Sequence, residues 1–543
     1  MLSSAIDAEK LEESVFSTSH YHNRPEIKRS DFITQNKYEL PKDGIDGNLV
    51  YNLLHNDLSL DGNPTLNLAS FVNTFSGIEA RKLAEENLVK NLADADEYPT
   101  LMDITERNIS MLGKLWGGES GKPVGTATTG SSEAIMLGGL ALKKRWQAKR
   151  KEQGKDISNP NIIMGSNAQV ALEKFARYFD VEPRLIPVTK ESNYVLDLNK
   201  IEEQVDENTI GVFVIMGSTY TGSFENVLEV NNILDKIHNT KGYDVSIHVD
   251  GASGAFIAPF LYPELVWDFR VPRVVSINTS GHKFGLTSAG LGWVLWRDSS
   301  LLPQELIFKL RYLGGVEESF NLNFSRPGFQ SIHQYFNFLN LGFNGFKDLH
   351  HTSLRNARVL SNCLEKTEYF DVVSLIHRKK GVLQYDRNDI KFNIENQDND
   401  DDFFNSGLPV VAFKFTDVFK EAYPNIPQSI VSTLLRKRGW IIPNYPLPPT
   451  EEDTEILRVV VRVELTDDLL HRLITDIVNA TESLIKSYEL YNKSVETTSL
   501  PAKRNYIYQF LNSIASGGGS DASALESFQE HKENHHSTYK GTC

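Results

Sequence analysis

The sequence predicts an α/β protein with a mainly parallel sheet, followed by a smaller α+β domain. Short apolar runs recur between Asn161 and Arg297: Ile162-Ile163-Met164, Val212 to Ile215, Val245 to Val249, Val274 to Asn278 and Gly292 to Trp296. Each has strand rather than helix length. Helical patterns at about Ala168 to Phe179 and Val227 to His238 lie between them, an alternation that places crossover helices on the faces of parallel strands. Beyond a long helical stretch, about Gly345 to Glu365, come strands near Val410 to Phe415 and Leu457 to Val463. Helices near Gln428 to Arg438 and Asp467 to Ser487 complete that second layer. The expected divisions are an N-terminal segment at 1–60, a large domain at 61–345, a small domain at 346–490 and a flexible tail at 491–543.

A chain of 543 residues is too long for a single core, so more than one domain is required. The net charge of −15 argues against nucleic acid or an anionic membrane as a partner. It also means that an acidic substrate would need positive groups placed locally. Cys363 and Cys543 are too few for a disulfide framework and have no metal-ligand spacing. Met1 to Ser14 carries acids and no apolar stretch, so no secretory signal is expected. No apolar run approaches membrane length. A cytoplasmic enzyme follows as the expectation.

Taken in order, residues 1–40 are polar, and His20 and His22 lack a third ligand, so a terminal arm is expected there. Asp61-Gly62-Asn63-Pro64 is a turn. Ser70 and Asn91 read as caps or turn residues. Gly117-Gly118-Glu-Ser-Gly121-Lys122-Pro123 is not a nucleotide loop, because three residues rather than four separate the glycines and proline follows the lysine. Gly130-Ser131-Ser132-Glu133 opens a helix expected to reach about Arg145. Capping explains the serines and the acid, and so does a phosphate seat, since free amides, hydroxyls and the positive dipole end converge there.

The strand at Val245 to Val249 delivers Asp250 at its C-terminal end, where ligands sit in open parallel sheets. The strand at Val274 to Asn278 does the same for Ser280, His282 and Lys283. A lysine that holds an aldehyde and an aspartate that keeps a pyridine nitrogen protonated are what a pyridoxal phosphate enzyme needs. Taken singly, a buried aspartate is more often an ion-pair partner and a lysine is usually solvated. Gly281 and Gly285 bracket Lys283 in a crowded turn rather than an open face. Spacing and composition leave both readings standing. Ser280-Gly-His-Lys283 also fits S-x-x-K of penicillin-binding hydrolases, but the S-D-N and K-T-G segments are missing.

The stretches His248-Val-Asp250-Gly-Ala252-Ser-Gly-Ala-Phe-Ile-Ala-Pro259, Trp267-Asp-Phe-Arg270-Val-Pro-Arg273 and Ser280-Gly-His-Lys283-Phe-Gly285 closely resemble glutamate decarboxylase, a group II pyridoxal-phosphate-dependent decarboxylase. The resemblance runs from about Leu60 to about Leu465. It implies the fold type I transferase architecture, pyridoxal 5'-phosphate as cofactor and L-glutamate as substrate, with Lys283, Asp250 and His282 catalytic, His282 as a candidate proton donor beside Lys283. With Lys283 so assigned, the phosphate seat is preferred for Ser131 and Ser132. The resemblance further places Gln169 over the ring, Thr219 near it, and Ser280 and His282 at the cofactor. Ala252, two residues past Asp250, is expected to pack below the ring. Ser70, Phe71 and Asn91 align with positions that hold the distal carboxylate. Tyr312 and Ser325 align with segments reaching a partner subunit's site, Ser325 toward the phosphate. This implies a homodimer or a higher assembly, up to a hexamer.

In Ile456-Leu-Arg458-Val-Val-Val-Arg462 both arginines share one side, and either could bind a carboxylate. The resemblance favours Arg458 for the α-carboxylate, and a structural ion pair is the alternative. Asp398-Asn-Asp400-Asp401-Asp402 reads as a solvated loop without calcium spacing. Ser516 to Ser520 is a linker. Lys503 to Leu511 lacks the tryptophan of a calmodulin-binding tail, so calmodulin is not expected as a partner. The competing functions are an aromatic or cysteine-sulfinate decarboxylase, an aminotransferase, and a catalytically inactive scaffold of the same fold.

Overall fold

The computed structural model describes residues 38–310, 317–382, 403–496 and 499–502. The chain forms two units, Met1–Gly62 and Asn63–Cys543. In the first, the described element is the helix Gly47–Leu58, which starts where the Asp46 carboxylate accepts the amides of Asn48 at 3.0 Å and Leu49 at 3.2 Å. This is side-chain capping at a helix start.

The second unit holds a seven-stranded sheet and a four-stranded one. The large sheet contains β1 (Val124–Thr128), β2 (Asn161–Gly165), β3 (Glu182–Ile186), β4 (Thr209–Ile215), β5 (Ser246–Asp250), β6 (Val274–Thr279) and β7 (Gly292–Trp296), in the order β1-β7-β6-β5-β4-β2-β3. From β6 through β5, β4 and β2 to β3 every pairing is parallel. Strands β2, β4 and β6 are buried along their whole length, as apolar runs covered on both faces must be. The helices Ser131–Glu152, Val170–Tyr178 and Val227–Lys241 supply crossovers. The mainly parallel α/β reading is thus borne out.

The strand Gly292 to Trp296, read above within the same alternation, runs antiparallel to both β6 and β1. The segment carrying Lys283 joins β6 to β7 without a crossover helix, and the chain comes back antiparallel. Two strands of this sheet escaped the sequence reading, as did the short strands at Phe308–Leu310, Glu317–Ser319, Phe370–Val372 and Asn444–Pro446 outside it. β1 is interrupted by Gly125 and threonines, and β3 shows the burial pattern of an exposed edge, with Pro183 and Arg184 in it, so neither makes an apolar run.

A two-stranded ribbon, β8 (Phe308–Leu310) with β9 (Glu317–Ser319), follows. The long helix Phe329–Lys366 has a non-helical residue at Gly342, φ 60°, a sharp kink at glycine. The expected start at Gly345 corresponds to the segment past that kink. The small sheet is antiparallel in the order β10-β11-β13-β12, from β10 (Phe370–Val372), β11 (Val410–Phe415), β12 (Asn444–Pro446) and β13 (Glu455–Val460), with helices Ser429–Lys437 and Asp467–Glu496.

Among the described residues no helix is long and apolar enough to cross a membrane, and no three His, Cys, Asp or Glu side chains form a metal cluster. His20, His22, Tyr312, the run at Asp398 to Asp402, and the segments at Lys503 to Leu511 and Ser516 to Ser520 lie outside the described residues.

Candidate active site

Strand direction gathers the site. Because β7 opposes both β6 and β1, β1 runs with the parallel set, and all these strands end on one edge of the sheet. Thr129 to Glu133 follow β1, Asn167 and Gln169 follow β2, Gly217 and Thr219 follow β4, Asp250 and Ala252 close β5, and Ser280, His282 and Lys283 follow β6. Together they line a cavity of about 330 Å³. Nine of the expected cofactor residues share it: Ser131, Ser132, Gln169, Thr219, Asp250, Ala252, Ser280, His282 and Lys283.

Asp250 is buried, and its Oδ1 accepts the Ala252 amide at 3.0 Å and the Asn278 side-chain amide at 3.0 Å. Lys283 Nζ donates to Ser253 Oγ at 3.2 Å and lies 5.2 Å from the centre of the Phe71 ring. Burial pushes the Lys283 amine below the usual lysine range; Asp250 opposes that shift and Arg458 adds to it. A desolvated lysine is more readily the neutral nucleophile. His282 is held neutral, its pKa lowered to about 4 by burial and by Lys283. Its Nδ1 accepts the Leu291 amide at 3.3 Å, which puts the ring proton on Nε2.

The lysine turn is braced from the long helix. Gln330, His333, Gln334 and Asn337 are all buried on it at i, i+3, i+4 and i+7, which is one helical face. Asn337 donates to Leu286 O at 2.8 Å, Gln334 to Gly285 O at 3.1 Å and Gln330 to Ala289 O at 3.3 Å, and His333 Nδ1 accepts the Ser288 amide at 3.3 Å. A Cβ on Gly285 would come 2.6 Å from Gly281 O, so the turn closes only with glycine there.

The helix Ser131–Glu152 begins at Gly130 with no side-chain cap. Capping by the serines therefore does not explain them. Glu133 instead accepts the amides of Thr129 at 2.8 Å and of Leu322 and Asn323 at 3.1 Å each. Ser280 Oγ is buried at the cavity with no hydrogen-bond partner. An uncapped helix start, two serines and an orphaned buried hydroxyl suit a phosphate group. Gln169 caps the helix Val170–Tyr178, accepting the Ala171 amide at 2.8 Å.

Five expected residues are not among those lining the cavity. Phe71 stands next to it, beneath Lys283, with the Arg458 guanidinium 4.9 Å from its ring centre. Arg458 donates to Thr219 O at 2.8 Å and to Ala69 O, so much of its fork is spent on backbone carbonyls. Arg462 likewise donates to Val72 O, to Pro64 O at 2.8 Å and to Asn67 O at 3.0 Å. Neither arginine makes the alternative ion pair; both strap residues 64–72 to the small sheet. Ser70 Oγ accepts the Val72 amide at 3.1 Å, a turn role. Asn91 Nδ2 donates to Ser325 Oγ at 3.2 Å, which places those two expected residues together.

Sequence reasoning missed Ser253, Asn278 and Asn167. Ser253 lay inside the quoted motif. The Gln330 to Asn337 stripe was missed as well, since it lies before the helical stretch expected from about Gly345.

A lysine and an aspartate on one cavity with a phosphate seat, at the carboxyl edge of a mainly parallel sheet, define a pyridoxal-phosphate enzyme. The chain belongs to the pyridoxal-dependent decarboxylase family, whose conserved domain matches residues 55–384. It is 50% identical to a glutamate decarboxylase of Saccharomyces cerevisiae over 94% of this chain and 90% of the other. It is 39% identical to one of Lactococcus lactis, covering 86% and 94%. The solved glutamate decarboxylase of Lactobacillus brevis superposes with a TM-score of 0.74 at 35% identity, over 83% of this chain and 95% of that one. The cofactor is pyridoxal 5'-phosphate, and the residues present fit it.

Proposed function

We propose that the chain converts L-glutamate to 4-aminobutyrate and carbon dioxide. The observation that carries this is Lys283 and Asp250 lining one cavity beside the helix start at Ser131, in a chain similar to glutamate decarboxylases along nearly its full length. When bound, pyridoxal phosphate supplies an electron sink for the bond to the departing carboxylate. Ser131, Ser132 and Ser280 hold its phosphate. Asp250, fixed by two donors on Oδ1, keeps a proton on the pyridine nitrogen. Lys283 Nζ would be the amine that holds the cofactor's aldehyde, and Lys283 or the neighbouring His282 Nε2 would deliver the proton to Cα. Gln169, Ala252 and Thr219, which line the same cavity, would hold the ring.

Ser70, Phe71 and Asn91 recognise the distal carboxylate and Arg458 the α-carboxylate. The position of Phe71 between Lys283 and Arg458 supports this, and substrate would compete with backbone carbonyls for the guanidinium. Asn91 and Ser325 pair with each other outside the set that lines this cavity, which supports a homodimer or higher assembly in which they serve the neighbouring subunit's site. The large domain at 61–345 then carries the cofactor groups together with Ser70, Phe71 and Asn91, the small domain at 346–490 carries Arg458, and the enzyme works in the cytoplasm.

The test is turnover of glutamate against a panel of aromatic amino acids and cysteine sulfinate, following amine product. Lys283→Ala should lose turnover and the visible absorbance of lysine-bound cofactor together. Normal decarboxylation by that variant contradicts the assignment, and preferential turnover of another amino acid contradicts the substrate.

A further inference from the structure

Asn278 is fully buried at the end of β6, level with Asp250 in the strand register. Its amide nitrogen donates to Asp250 Oδ1 at 3.0 Å and to Ser131 Oγ. One NH₂ group thus touches both anchors of the cofactor, the carboxylate for the ring nitrogen and a hydroxyl of the phosphate seat. Two consequences follow from donor counting. Asp250 Oδ1 is filled by Ala252 and Asn278, leaving the other carboxylate oxygen for the ring. Ser131 Oγ accepts from Asn278, so its own hydrogen is free for a phosphate oxygen.

The direction of the amide is determined by its neighbours. Asp250 ionised is an acceptor only, so the nitrogen of Asn278 must face it. The amide oxygen then faces His248 Nε2 at 2.8 Å, and that nitrogen must carry hydrogen. His248 is neutral, its pKa lowered to about 4 by burial, so Nδ1 accepts from Ser276 Oγ at 2.7 Å. The imidazole is wedged between Phe213, 5.2 Å away edge to face, and Gly138.

We propose that Asn278 is a positioning residue that ties the ring-nitrogen anchor Asp250 to the phosphate anchor Ser131, with His248 as its Nε2–H tautomer setting the amide direction. Phosphate binding and protonation of the ring nitrogen are thereby coupled: ordering one anchor orders the other. The inference rests on pyridoxal phosphate occupying this cavity, which the visible absorbance of the reconstituted parent enzyme checks separately.

The experiment titrates apo-enzyme with pyridoxal phosphate for the parent, Asn278→Ala and Asn278→Asp, and measures kcat and KM for glutamate. Asn278→Ala should bind the cofactor about 10-fold more weakly and Asn278→Asp about 100-fold, because aspartate removes both donations and adds a charge beside Asp250. A residue that only fills space predicts the opposite order, since aspartate is nearly isosteric. In both variants kcat should fall with KM little changed. For pyridoxal, which lacks the phosphate, the loss in Asn278→Ala should be smaller than for pyridoxal phosphate. Tighter binding by Asn278→Asp than by Asn278→Ala, parent-like affinity in both, or equal losses for the two cofactor forms would overturn the proposal. Should the aspartate variant fail to fold, Asn278→Ser takes its place: affinity between parent and alanine supports the donor role, and affinity equal to alanine overturns it.

Discussion

Asp250 and Lys283 divide the chemistry through their surroundings. Asp250 accepts two hydrogen bonds on one carboxylate oxygen, and Lys283 sits where burial discourages a cation. Asp250→Asn should retain cofactor and lose ~10²-fold or more in rate, since an amide cannot hold the ring-nitrogen proton; unchanged kinetics would remove it from the mechanism. His350 shows the same physics without a catalytic part. It is fully buried with both ring nitrogens unpartnered, among Phe260, Phe284 and Phe346 at 5.8–6.0 Å. Burial lowers its pKa to about 3, below the ~6.5 of an unfolded histidine. Between those values the unfolded chain binds the extra proton, so stability falls as pH drops through this window, by up to ~1.4 kcal/mol per pH unit. His350→Leu should flatten the dependence of Tm on pH between about 4 and 6. An unaltered slope would show that this histidine is not part of the acid sensitivity.

Elements matter here by what their close approach permits. The helix Ser131–Glu152 lies over β5 closely enough that a Cβ on Gly138 would fall 2.4 Å from His248 Cε1. Gly138→Ala should therefore force helix and strand apart, costing about 1–3 kcal/mol by overpacking and disturbing Asp250 through His248 and Asn278. Equal Tm and equal cofactor affinity in the variant would refute that contact. At this scale the sequence was partly readable. Buried parallel strands announced themselves as apolar runs, whereas β1 and β3 hid among glycine, threonine, proline and arginine. The motif that carries Lys283 was readable because lysine, histidine and two glycines fall within a few residues. The stripe from Gln330 to Asn337 that braces it contacts residues 41 to 51 positions away, and nothing local says so.

For the whole molecule, the pairing of Asn91 with Ser325 leads to a prediction about assembly. A Lys283→Ala protomer keeps Asn91 and Ser325 intact, and an Asn91→Ala protomer keeps Lys283. If these residues serve the neighbouring subunit, unfolding and refolding the two inactive variants together should restore roughly a quarter of parental activity, because half of random dimers are mixed and each has one complete site. No recovery, with mixed dimers present, would place Asn91 in its own chain's site or outside the chemistry. The strap at residues 64–72 also belongs to this scale. Arg458 and Arg462 hold it through backbone carbonyls, so the small sheet and the floor beneath Lys283 are mechanically one piece.

The sequence by itself placed the lysine, the aspartate and the two serines at the end of a strand or the start of a helix, because those ends follow from local pattern, and the kind of chemistry came from the resemblance of the motifs that carry them. It also determined the sheet's mainly parallel character through the alternation of apolar runs with helical ones. Only the tertiary structure decided that strand ends far apart along the chain meet on one edge. Only there does Asn278 reach Ser131, 147 residues away, and do two arginines grip a distant strap. Side-chain hydrogen bonds across such separations depend on ångström-level register between strands, and a one-dimensional pattern carries residue type and spacing but not that register.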